Sequence, residues 1–363
     1  MKATNKNKII ISTGGTGGHV FPADSLAKNF IKNNYLVDII IDKRGLKYLD
    51  KHEDIKFILN NSATIFKKNI INSLFSVFVI FFSYIRSLVI LYRSKPVVVF
   101  GMGGYASFPV CMAARTLNIP FIIYENNIQI GKSNKYLLPF AFKIFVSYQD
   151  LFGIINKYKN KVIFTGNIIR EEILHFKKNY QFKKEILNIL VLGGSQAAKS
   201  FGELLPKVFE ECTKEEIKIK IFQQCVESQN QKLKEKYENL KIDYELFNFT
   251  NNIVEYFSKT ELAITRSGSS VTAELINCKI PFICIPYPHS ADAHQDKNAA
   301  YFKKKGYGFL IKEKEINEKL FPLIKAIYND KEILNKLIEK QKNYSDADVF
   351  FKINNEIKNL INE

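Results

Sequence analysis

A chain of 363 residues, 46% hydrophobic and 25% charged, is long enough for two domains and has the balance of a folded protein, which excludes disorder and fibre. The formal charge of +17 suits anionic partners without naming one, and no module of the usual nucleic-acid binders accompanies it. Five cysteines without a CxxC pair point to a reducing compartment and no structural metal, and the run Ile9-Ile10-Ile11 after a polar start is too short for the apolar core of a signal peptide, which predicts a cytosolic protein.

Apolar runs of strand length recur at 9–12, 37–41, 97–100, 121–124, 144–146 and 162–165, separated by longer amphipathic stretches. After a charged, helical stretch at 170–184 the cadence restarts at 188–192, 219–222, 262–265 and 282–286. Short buried strands alternating with helices predict parallel sheets covered on both faces, hence an α/β chain of two doubly wound, Rossmann-like halves. The division runs 1–166, 167–343 and 344–363. The last piece contains a helix over 346–361, with Val349, Phe350, Ile353, Ile357 and Ile361 at helical spacing, that crosses back to the first half.

Residues 70–92 are apolar over a length that can span a bilayer. Asn72, Arg86 and the interspersed serines argue against spanning, and so does the segment's place between strands of one sheet. The expectation is one or two helices whose excess apolar surface, with Phe75, Phe78, Phe82 and Tyr84, dips into an anionic membrane surface beside Lys67, Lys68, Arg86 and Arg93. The competing reading is a greasy helix buried against the sheet.

Three glycine-rich turns follow strands and open helices: Thr13-Gly14-Gly15-Thr16-Gly17-Gly18-His19, Gly101-Met102-Gly103-Gly104-Tyr105 and Gly193-Gly194-Ser195-Gln196. Such turns bend sharply and present N–H groups to an anion at a helix N-terminus. Gly131-Lys132-Ser133 ends like a P-loop, but Asn126 stands where its first glycine is required. Neither G-x-G-G turn completes the dinucleotide fingerprint.

Together with Val20-Phe21-Pro22, Glu125-Asn126-Asn127, Arg266-Ser267-Gly268 to Glu274, and Pro288-His289 to Gln295, these blocks resemble, in order, those of the bacterial peptidoglycan N-acetylglucosaminyltransferases of the MurG type. The resemblance implies a GT-B fold with two domains facing across a cleft. It also implies UDP-N-acetylglucosamine as donor, undecaprenyl-diphosphate-linked muramoyl pentapeptide as acceptor, inversion at the sugar carbon, no cofactor and no metal. It places the enzyme peripherally on the cytoplasmic face of the membrane. The family usually has His-Glu-Gln-Asn where this chain has Tyr124-Glu125-Asn126-Asn127, and a glycine where it has Ala197.

By the same matching, Ser195 and Arg170 contact the donor diphosphate, Thr250 the uracil region, and Asn127 and Gln295 the donor sugar. Thr16, Gly17, Gly18 and the run Ser269, Ser270, Val271, Thr272, Ala273, Glu274 complete the donor set, with Glu274 on the ribose hydroxyls. Gly103, Gly104, Tyr105 and Glu125 fall to the acceptor. His19 is the candidate base, with loop positioning or acceptor binding as its alternative. His289 and His294 are spaced wrongly for one helical metal face, and Asp346-Ala347-Asp348 fits a helix cap better than a metal site. The rival functions are another GT-B glycolipid glycosyltransferase and a non-catalytic basic protein binding nucleic acid or lipid.

Overall fold

The computed structural model describes residues 7–49, 52–61, 70–178, 185–248, 250 and 252–362, without the side chains of 70–75 and 195–198. The chain forms two compact units, 1–170 with 346–363, and 171–345.

The first unit runs β1 (Lys8–Thr13), α1 (Gly17–Lys32), β2 (Leu36–Ile41), β3 (Ile55–Leu59), α2 (Ile70–Ser94), β4 (Val98–Gly101), α3 (Gly104–Thr116), β5 (Phe121–Glu125), α4 (Lys132–Leu137), β6 (Lys143–Val146) and β7 (Val162–Phe164). All seven strands are parallel, in the order β3-β2-β1-β4-β5-β6-β7. Ile9 and Ile11 point to one face with α1, and Ile10 to the other with α3, so β1 is an unbroken apolar run buried on both sides. The chain winds outward from β1 to β3, then returns to place β4 on the other side of β1. This reversal opens a crevice at the carboxyl ends of β1 and β4, where two of the glycine turns lie.

The second unit runs α5 (Glu171–Leu174), β8 (Leu187–Leu192), α6 (Gly194–Lys214), β9 (Ile219–Gln224), α7 (Asn230–Asn239), β10 (Asp243–Phe247), α8 (Ile253–Lys259), β11 (Leu262–Thr265), α9 (Ser269–Asn277), β12 (Phe282–Cys284), α10 (His294–Lys305), β13 (Gly308–Leu310), α11 (Ile316–Asn329) and α12 (Glu332–Lys342). Its parallel sheet has the order β10-β9-β8-β11-β12-β13. The reversal here falls between β8 and β11, at the turns Gly193-Gly194 and Arg266-Ser267-Gly268.

Among the described residues the helix expected over 170–184 is only α5; after it the Lys178 ammonium donates to the carbonyls of Phe257 and Thr260. A half-buried lysine tied to carbonyls at the end of α8 is a strut rather than part of a solvated helical face. The last helix, α13 (Val349–Asn362), starts three residues later than expected, at Val349, and packs on α1 in the first unit. Asp346 is buried, and its carboxylate accepts the N–H of Asn167 at 2.8 Å. That bond fastens the two strands of chain that leave and re-enter this unit, a task the helix-cap reading did not include.

Candidate functional site

His19 lies on the first turn of α1, where its N–H donates to the carbonyl of Thr16 and its own carbonyl accepts from the Thr13 hydroxyl at 3.0 Å. Its ring rests on the second glycine turn. A Cβ at Gly103 would come within 3.2 Å of the His19 Cε1 and 3.3 Å of Nδ1, on a backbone with φ of +88°. A side chain there would be strained and would push the imidazole away, so glycine at 103 is what lets one turn seat the histidine of another. Thr16, Gly17, Gly18, His19, Gly103, Gly104 and Tyr105 are therefore gathered at one crevice.

Asp42, just past β2, organises this crevice and was not singled out in the sequence. It is buried, and its Oδ1 accepts the N–H groups of Gly15 and Gly45, both at 2.9 Å, while Arg44 pairs with Oδ2 at 2.6 Å. A Cβ on Gly14 would sit 2.8 Å from the Asp42 Cγ and 2.7 Å from the Ala106 Cβ, so the turn passes too close for any side chain.

The loop after β5 is built around Glu125, which is 2% exposed. Its carboxylate accepts from Asn127 N–H and Nδ2, both at 3.1 Å, from Gly131 N–H at 2.8 Å and from Asn134 Nδ2 at 3.0 Å. Burial pushes its pKa above the usual carboxylate range, against the pull of these four donors. With its oxygens committed in this way, Glu125 shapes the loop after β5. Asn127 also donates to the Asn126 Oδ1 at 2.9 Å, and Asn126 Nδ2 donates to the Gly18 carbonyl at 2.9 Å. Gly131-Lys132-Ser133, the P-loop look-alike, spends its first N–H on Glu125. Tyr124, where the family usually has histidine, is buried; its hydroxyl meets Ser147 Oγ at 2.8 Å and accepts the Ile168 N–H at 2.9 Å.

Arg170 closes the first unit, its guanidinium 5.7 Å from the Phe21 ring centroid on α1.

In the second unit, α9 starts at Ser269 with no side chain capping it at Gly268. That leaves the positive end of the helix dipole at the carboxyl edge of β8 and β11. Ser270 and Val271 are half-buried, Ser269 and Ala273 are buried, and Glu274 is 7% exposed. The Thr272 hydroxyl does not face outward: it donates to the carbonyls of Gly268 at 2.9 Å and Ser269 at 3.1 Å within its own helix. The Ser195 side chain lies outside the described residues. Thr250 Oγ1 accepts the Asn252 N–H at 3.0 Å, turning the chain into α8.

Gln295 is anchored through Oε1, which accepts the Tyr287 N–H at 2.9 Å. The loop between them contains two consecutive left-handed residues, Asp292 at φ 52° and Ala293 at φ 51°. Arg266 holds the base of this loop: its buried guanidinium donates to the carbonyls of Ile285 at 3.1 Å and Pro286 at 3.2 Å and to Ser200 Oγ at 2.5 Å, and pairs with Glu313. Burial lowers its pKa, and the Glu313 carboxylate works against that. Among the described residues no cluster of His, Cys, Asp and Glu could hold a metal ion. His294 Nδ1 lies 2.6 Å from the Ala291 carbonyl, and the His289 ring packs edge-on against Tyr287.

Known proteins match this arrangement over both units. The glycosyltransferase family 28 N-terminal domain matches residues 9–146 and the family 28 C-terminal domain residues 188–352. The UDP-N-acetylglucosamine--N-acetylmuramyl-(pentapeptide) pyrophosphoryl-undecaprenol N-acetylglucosamine transferase of Pelagibacter ubique is 37% identical over 359 residues, 98% of this chain and 99% of that one. The enzyme of the same name from Rickettsia typhi is 34% identical, covering 90% of this chain and 92% of its own. The crystal structure of Acinetobacter baumannii MurG superposes with a TM-score of 0.77 over 97% of this chain and 99% of that one, at 23% identity, a likeness of fold. The fold is GT-B, and the chain belongs to glycosyltransferase family 28, in the family of these N-acetylglucosamine transferases.

Proposed function

We propose that the chain transfers N-acetylglucosamine from UDP-N-acetylglucosamine to undecaprenyl-diphosphate-linked muramoyl pentapeptide, with inversion, in peptidoglycan synthesis. The observation that carries this reading is the 37% identity over 98% of the chain to a relative named for that transfer. An acceptor sugar hydroxyl attacks the anomeric carbon, a C–O bond forms as the bond to the UDP oxygen breaks, and UDP leaves with the electron pair. His19 takes the hydroxyl proton; its placement between two glycine turns supports that role. The N-terminus of α9, with Ser269, Ser270 and Val271, stabilises the departing diphosphate, and Ser195 and Arg170 add to it. Glu274 receives the ribose hydroxyls, Thr250 the uracil, and Gln295 and Asn127 the sugar. Gly103, Gly104 and Tyr105 hold the acceptor.

The enzyme works peripherally at the cytoplasmic face of an anionic membrane. The stretch Ser76–Ser94 of α2 passes for a membrane span by length and composition, yet it connects β3 to β4 within one sheet. Its buried face carries Ser76, Ser83, Ser87 and Leu91, while Phe78 and Phe82 are 61% and 67% exposed and Val77, Phe81, Ile85 and Val89 accompany them. Small residues let α2 lie close on α3, and the large apolar residues face outward, the reverse of a water-facing helix. That surface, with exposed Arg86 and Arg93, supports interfacial docking. Tyr84 belongs elsewhere, half-buried with its hydroxyl 2.8 Å from Thr116 Oγ1 on α3. Lys67 and Lys68 and the Phe75 side chain lie outside the described residues.

Purified protein incubated with the lipid-linked acceptor in detergent micelles and radiolabelled UDP-N-acetylglucosamine tests the reading. Label should enter the organic phase with stoichiometric UDP release; label that stays aqueous contradicts it.

A further inference from the structure

Asp42 stands at the first glycine turn with a charge of the wrong sign for an anion cradle. α1 opens at Gly17 with no side-chain cap from Thr16 and no acidic residue in its first turn, which leaves the helix start positive. A Cβ on Gly15 would meet nothing within 4 Å among the described residues, so the turn is open on that side. Yet the carboxylate that bends the turn lies one hydrogen bond from it, with Oδ1 2.9 Å from the Gly15 nitrogen. The Asp42 side chain is only 3% exposed, so water and salt screen its charge poorly.

Arg44 answers that charge. Its Nε and Nη2 donate to the Asp42 Oδ2 at 2.9 and 2.6 Å, while Oδ1 accepts the N–H groups of Gly15 and Gly45. The two oxygens divide the work: one shapes the turn, and the other is paired with a guanidinium whose charge persists at every working pH. We propose that Arg44 acts through Asp42, cancelling its charge so that the first glycine turn can hold the diphosphate of a sugar-carrying substrate. A phosphate bonded to the turn would lie about 7 Å from the carboxylate, where one unit charge in a partly exposed site is worth about 5- to 10-fold in affinity. Asparagine at 42 would accept the same N–H groups without the charge, so substitution can separate the shaping of the turn from its electrostatics.

This inference rests on the two diphosphate substrates proposed above, and KM is read for each. Arg44→Gln should raise KM about 5- to 10-fold for the substrate whose diphosphate lies at the turn, with kcat changed less, and Arg44→Lys should restore most of it. Asp42→Asn should move the same KM the other way, and Asp42→Asn with Arg44→Gln should bring it back to within about twofold of the parent. The KM that moves names the source, donor or lipid-linked acceptor. A double variant as weak as Arg44→Gln would show that Arg44 touches the diphosphate itself. A KM that rises in Asp42→Asn as well would make the pair structural, and two unmoved KM values would leave the turn without an anion; each of these results overturns the proposal. Calorimetry with inorganic diphosphate should give the same order of affinities without turnover. A parent that transfers no sugar would therefore contradict the transferase reading, while affinities out of that order contradict the role of Arg44.

Discussion

The side-chain amide of Asn126 donates to the carbonyl of Gly18 at 2.9 Å, tying the loop after β5 to the glycine turn after β1, two strands away. Asn126 is buried, so Asn126→Ala removes a donor from a site that water does not readily refill. A loss of about 1–3 kcal/mol in unfolding free energy is expected. Turnover should fall while UDP affinity in titration calorimetry stays the same. A variant equal to the parent in both stability and turnover would show the tie to be incidental.

His19→Ala should lower kcat by about 10²–10⁴, the usual worth of a general base, without altering UDP affinity. His19→Gln keeps a polar group at the same turn and should not restore the rate. If KM for the acceptor rises instead with kcat unchanged, His19 binds the acceptor and does not take its proton.

Glu274→Ala should weaken UDP binding by about 1.5–3 kcal/mol, the cost of losing hydrogen bonds to a charged acceptor in a buried position. Calorimetry measures it directly. Unchanged affinity would place Glu274 among the structural residues of α9.

Most of the strands were legible because central strands, buried on both faces, appear as unbroken apolar runs. The strands missed, β3, β10 and β13, are all sheet edges. Lys56 in β3 and Asp243 and Glu245 in β10 interrupt the apolar pattern where one side of the strand has no neighbour. The glycine turns announced the site, since chain reversal on so short a path needs glycine. What remained hidden were Asp42 and Asn134, and the role of Arg266, since their hydrogen bonds to other loops depend on strand order and leave no local pattern. For the same reason the bonds that Glu125 and Thr272 make within their own loop and helix were not legible: a sequence displays a polar group but not its partner.

Glu125 gives a pH signature. Its folded pKa is raised by burial, so its contribution to stability is full below the ordinary carboxylate range and is lost as pH rises through the raised value. The stability of the parent relative to Glu125→Gln should therefore grow as pH falls through that window. Denaturant titrations at several pH values measure this difference, and one that shrinks with falling pH contradicts the assignment.

Ala293 holds a left-handed conformation that costs an L-residue about 1–2 kcal/mol. Ala293→Gly relieves it at some cost in chain entropy, and a net gain of up to about 1 kcal/mol is expected. Thermal melting should show a higher Tm; a lower one would mean the turn is not strained.

The central claim is the pairing of one donor with one lipid acceptor. The most direct measurement is mass spectrometry of the lipid product after parallel incubations with UDP-N-acetylglucosamine, UDP-N-acetylgalactosamine and UDP-glucose. The account predicts a single added N-acetylhexosamine on the lipid-linked muramoyl pentapeptide with UDP-N-acetylglucosamine, and little product from the other two donors. Comparable product from UDP-glucose, or consumption of UDP-N-acetylglucosamine with the acceptor unchanged, would contradict it.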